Sequence, residues 1–140
     1  MSSTSQASQD PEARQTDRKT VLVAVNDIFF YTKVRDALAP NGYLLEKVRI
    51  QQDIADKALT TGPAAVILDM NDRVLDAFHA LQTLKDNPRL RAIPILAYAN
   101  HEEVDTWQRA KALGVTKIVS RNEFSSRTRE LVEEMTKVKV

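Results

Sequence analysis

The chain contains no cysteine, which excludes disulfides and thiol-based metal or redox chemistry. Histidine is nearly as scarce, and His79 and His101 are too few for a typical zinc site. No apolar run approaches the roughly 20 residues that cross a bilayer, and no signal-peptide core follows Met1. Neither sign of charge dominates: 20 basic residues face 19 acidic ones. The basic stripe of a nucleic-acid binder is therefore missing. A cytoplasmic protein is expected, with neither nucleic acid nor membrane among its partners.

Glycine is rare as well. Gly42, Gly62 and Gly114 are the only three, and each precedes an expected strand. Doubly wound proteins that hold nucleotides or flavins place glycines after a strand, where backbone N–H groups approach phosphate. A cofactor site of that kind is not expected. No Gly-x-Ser-x-Gly elbow occurs, and neither histidine falls at a strand end, so hydrolase chemistry is disfavoured too.

What is present is a rhythm. Residues 1–18 are Ser, Gln, Thr and charge with little to bury, and are expected to form a disordered tail. From residue 19 to 138 strands and helices alternate five times. "VLVAV" (21–25), "AAVILDM" (64–70) and "IPILAYA" (93–99) read as strands covered on both faces. "YLLEKV" (43–48) suits a position nearer the sheet edge, and "KIVS" (117–120) is the fifth strand. Helical spacing follows each: Phe30, Val34 and Leu38; Ile54 and Ala58; Val74, Phe78 and Leu81. A fourth helix opens near Asn100, where Glu103 would complete a capping box, and stops at Gly114. A last helix carries Leu131, Val132, Met135 and Val138, with Ser125 or Ser126 as its cap. Five such repeats imply an α/β fold with a five-stranded parallel sheet between two layers of helices.

Open parallel sheets present their ligand sites beyond the carboxyl ends of the strands. The informative residues are therefore Asn26 and Asp27, Asp69 and Asn71, Ala99, and Arg121. Two acids in one small pocket suit a hard, oxygen-preferring ion such as Mg²⁺. With an ion bound, one aspartate could attack a phosphoryl group.

The order of these residues resembles the receiver domain of bacterial two-component response regulators. The resemblance covers residues 19–138 and is strongest in "LKDNPRLRAIPILAYA" (84–99) and "ALGVTKIVSRNEF" (112–124). It implies a flavodoxin-like, CheY-like sheet of order 2-1-3-4-5. It also implies that Asp69 is the phosphoacceptor, and that Asp27, Asp69 and the backbone carbonyl of Asn71 ligate Mg²⁺.

Three departures weaken the pattern. Asn26 replaces an acid, Ala99 stands at the Ser/Thr position, and Arg121-Asn122 replaces Lys-Pro. Asn26 lowers the charge available to a cation, so Mg²⁺ binding is expected to be weak. Ala99 lacks the hydroxyl that would draw its loop toward a phosphoryl group. Arg121 keeps a positive charge, but its planar fork prefers a carboxylate, so it could hold Asp69 in a permanent ion pair. A one-residue slip in strand four would bring Tyr98 to the pocket in place of Ala99, although Pro94 favours Ala99.

Trp107, Val104, Lys111 and Ile118 fall on the helix-4/strand-5/helix-5 face that receivers offer to protein partners, and a tryptophan is a common anchor. The plainer alternative is that the Trp107 ring folds over its own helix. The expectation is a degenerate receiver-like domain of a phosphorelay. It would be no enzyme and would act mainly by protein–protein contact, with a histidine kinase as a further candidate partner. The alternative is a working phosphoacceptor at Asp69 with Mg²⁺.

Overall fold

A computed structural model describes residues 19–136. The expected tail (1–18) and Val138 lie outside the described residues. The elements run β1 (Lys19–Ala24), α1 (Ile28–Leu38), β2 (Tyr43–Lys47), α2 (Ile54–Thr61) and β3 (Ala65–Asp69). They continue with α3 (Ala77–Asp86), β4 (Ile95–Ala99), α4 (Val104–Ala112), β5 (Lys117–Ser120) and α5 (Arg121–Thr136). All strands are parallel and lie in the order β2-β1-β3-β4-β5.

The sheet divides the core because successive side chains on a strand point to opposite faces. Leu22, Val66, Leu68, Ile95 and Ala97 pack with Ile54, Ala58, Leu81 and Leu84 of α2 and α3. Val21, Val23, Ile67, Leu96 and Tyr98 pack with Phe30, Val34, Phe124, Leu131 and Val132 of α1 and α5. β3 and β4 are buried along their whole lengths, and β2 is only half-buried, as expected of an edge. Each fully buried Val, Leu or Ile is worth about 1.5–3 kcal/mol, so these strands dominate the stability of the sheet. α4 is anchored lightly: of its nine residues only Ala110 is fully buried.

The C-terminus of α4 follows the expected glycine stop. Gly114 adopts φ +99°, its N–H donates to Lys111 O at 3.1 Å, and the Val115 N–H donates to Ala110 O at 3.2 Å. Those two bonds make a Schellman motif.

Three helix starts differ from expectation. α3 begins at Ala77 because Asp76 accepts the His79 N–H, which leaves Val74 in a loop with 67% of its surface exposed. α5 begins directly after β5, where Ser120 Oγ accepts the Glu123 N–H at 3.0 Å. Ser125 and Ser126 therefore lie inside that helix, just before a break at Arg127 (φ −129°, ψ 28°). α4 begins at Val104, a turn later than the Asn100 cap would give. No helix of the described residues is long and apolar enough to cross a membrane.

Candidate functional site

The ends of β1, β3 and β5 meet in an open cleft of about 580 Å³, lined by Asn26, Asp27, Asp69, Asn71, Asp72 and Arg121 among others. Asp69 is the last residue of β3 and is only 3% exposed. Its Cα pairs with that of Tyr98, and Ala99 pairs with Ser120. Ala99 packs on the α3 and α4 side of the sheet, whereas Tyr98 faces α1 and α5.

Arg121 spans the two acids. One terminal nitrogen lies 3.9 Å from Asp27 Oδ2 and the other 3.9 Å from Asp69 Oδ1. The guanidinium rests on an aromatic column, with its carbon 4.5 Å from the Phe30 ring centroid and 5.8 Å from that of Tyr98. Below it, Phe30 stacks on Tyr98 at 5.0 Å and Tyr98 on Phe124 at 4.4 Å. A planar cation can lie flat on such a surface while its two terminal nitrogens face two carboxylates. Phe29 turns outward, 60% exposed, with its ring edge-on to Phe30.

The two acids have different environments. Asp27 is exposed, and its Oδ1 caps α1 by accepting the Phe29 and Phe30 N–H groups at 2.9 and 3.3 Å. Asp69 Oδ1 accepts the Asn71 N–H at 2.9 Å. Burial pushes the Asp69 carboxyl above the usual carboxylate range, against the lowering effects of the Asn71 N–H and the Arg121 charge; Asp72 pushes it further up. The Tyr98 hydroxyl is buried, and its pKa is raised by desolvation and then by the Asp69 charge. Asp69 is thus close enough to act on it electrostatically, yet the hydroxyl completes no hydrogen bond by geometry. Proximity without alignment makes no hydrogen bond, so the hydroxyl is unpaired. Among the described residues, Asn26 Nδ2 is a further buried side-chain polar atom without a hydrogen-bond partner.

Two features of the site were not anticipated. Asp72 ties the loop after β1 to the loop after β3: Oδ2 accepts the Asn26 N–H at 2.9 Å, and Oδ1 accepts the Val74 and Leu75 N–H groups of its own loop at 2.8 and 2.9 Å. Its local signal was an aspartate two residues before a loop N–H, the Asx-turn spacing. The second feature replaces the expected capping box. The Asn100 N–H donates to Asn71 Oδ1 at 2.8 Å, and Asn71 Nδ2 donates to Glu103 Oε1 at 2.7 Å. Asn100 Nδ2 still reaches Glu103 Oε2, at 3.3 Å, but outside the helix. Bonds from Asn100, Asn71 and Thr106 hold the Glu103 carboxyl below its usual range.

Of the expected partner-binding residues, Val104 and Lys111 are exposed. Ile118 and Trp107 are half-buried against the core. The Trp107 indole donates Nε1–H to Asn100 O at 2.9 Å and carries Lys111 6.0 Å above its ring. The Trp107 ring therefore lies beside Lys111 and the Asn100 backbone with part of its surface exposed.

The donor set fits a divalent ion poorly. Asp27 spends one oxygen on a helix cap, and both acids already face one guanidinium. Among the described residues no three His, Asp or Glu side chains gather as they would around a metal.

Solved structures share this fold. A putative response regulator from Chloroflexus aurantiacus J-10-fl superposes with a TM-score of 0.77 at 14% identity, over 86% of this chain and 98% of that one. The signal receiver domain of a signal transduction histidine kinase from Syntrophus aciditrophicus gives 0.76 at 20% identity, over 86% and 92%. The chemotaxis response regulator CheY4 of Vibrio cholerae gives 0.69 at 22% identity, over 82% and 98%. The five parallel strands in this order, with five helices, make the CheY-like flavodoxin fold. At these identities the likeness is one of fold. No protein-family profile matches the chain, and no curated protein matches it by sequence.

Proposed function

We propose that the chain is a receiver-like signalling domain of a two-component or phosphorelay system. Its phosphorylation site is degenerate, and it acts in the cytoplasm mainly through protein–protein contact. The observation that carries this reading is the Arg121 fork, 3.9 Å from both Asp27 and Asp69. A cation there supplies one of the two positive charges that Mg²⁺ would bring, and repels a second cation. Mg²⁺ binding at Asp27, Asp69 and the Asn71 carbonyl is accordingly weak. Ala99 offers no hydroxyl to a phosphoryl group. The partner face is that of α4, β5 and α5, where Val104 and Lys111 are exposed.

A second reading keeps Asp69 as a working phosphoacceptor for a histidine kinase. It is favoured by the cleft, which still opens beside Asp69 at the end of the central strand. Incubation with Mg²⁺ and acetyl phosphate separates the two. Under the degenerate reading no adduct forms on Asp69 by mass spectrometry. A stoichiometric adduct that disappears in Asp69→Asn would establish the second reading instead.

A further inference from the structure

α4 buries one residue fully, yet its start is tied to the Asp69 loop by polar bonds that cross long stretches of chain. Asn71 is the hub. Its N–H holds Asp69 Oδ1, its side-chain oxygen accepts from the Asn100 N–H, and its side-chain nitrogen donates to Glu103. That amide fits one way round only. Flipped, it would set NH₂ against N–H and oxygen against carboxylate. Thr106 Oγ1 donates to the same Glu103 oxygen, and Trp107 closes the far side through the Asn100 carbonyl.

We infer that Asn71, Asn100 and Glu103 form a latch that fixes the start of α4 against the loop after Asp69. Residues 71, 100 and 103 make this contact without any polar group from the Ala99 side chain. The latch rests on the reading of the site as degenerate, and adds to it that the surface of α4 is presented in one constant position.

The sole tryptophan reports on the latch because its indole bonds to Asn100. The test compares wild type, Asn71→Ala, Glu103→Ala and Glu103→Gln by amide exchange at Asn100 and acrylamide quenching of Trp107. The Ile67 amide in β3 serves as a check that the core is intact. Asn71→Ala and Glu103→Ala should each speed Asn100 exchange by about tenfold, as expected for loss of one hydrogen bond's worth of local protection. Both should increase quenching, and Glu103→Gln should fall between Glu103→Ala and wild type. A fifth protein carrying both Asn71→Ala and Glu103→Ala should exchange little faster than the faster single variant, because both changes open one unit. Unchanged Asn100 exchange in either alanine variant, with Ile67 still protected, overturns the latch. No metal or phosphoryl compound enters this experiment, so its failure leaves the phosphoacceptor test untouched, and the reverse also holds.

Discussion

Asp69 and Tyr98 share a buried corner, and their chemistry can be read one residue at a time. Burial raises the Asp69 pKa, so between 3.8 and the raised value the folded chain holds a proton that the unfolded chain has released. The contribution to stability is full below 3.8 and is lost as pH rises through the raised value. Asp69→Asn keeps an acceptor for the Asn71 N–H and removes the buried charge. It should raise the melting temperature at pH 7 and lose that advantage near pH 3, as checked by thermal melts at both values. Tyr98→Phe removes an unpaired hydroxyl and should change unfolding free energy by less than about 1 kcal/mol in urea titration. A loss of about 2 kcal/mol or more would show that the hydroxyl is bonded to Asp69. Arg121 beside Asp69 was legible from its place after the fifth strand. The Asp72–Asn26 and Glu103–Asn71 bonds were not, because their partners lie 46 and 32 residues apart, a distance that local pattern does not span.

Among the elements, the alternation of strand and helix was legible because buried strands and amphipathic helices leave different periods in sequence. The ends were less so, and each miss has a side-chain cause. Asp76 outcompeted the apolar spacing that began at Val74, and Ser120 took the cap assigned to Ser125 or Ser126. Asn100 was drawn away from capping by Asn71. The end of α4 was read correctly because Gly114 needs a left-handed backbone that few other residues accept. Gly114→Ala should cost about 1–2 kcal/mol for that backbone. A further part arises because an added Cβ would lie 3.2 Å from Lys85 Cε, although that flexible side chain can move. Urea unfolding of the variant checks the sum, and a cost near zero would mean that the turn relaxes.

At the scale of the whole molecule, the fold delivers Asp27, Asp69, Asp72 and Arg121 to a place where a parallel sheet normally binds its ligand. The aromatic column of Phe30, Tyr98 and Phe124 supports the guanidinium from inside the core, so the cation belongs to the packing as much as to the cleft. Removing it should reopen the site to a divalent ion. The most direct measurement is a Mg²⁺ titration of wild type and Arg121→Ala at constant ionic strength, followed through the amide shifts of Asp27, Asp69 and Asn71. Arg121→Ala should bind at least about tenfold more tightly than wild type, the effect of removing one like charge worth ~1.4 kcal/mol near the ion. Equal affinities in the two proteins would contradict the claim that Arg121 stands in for the metal.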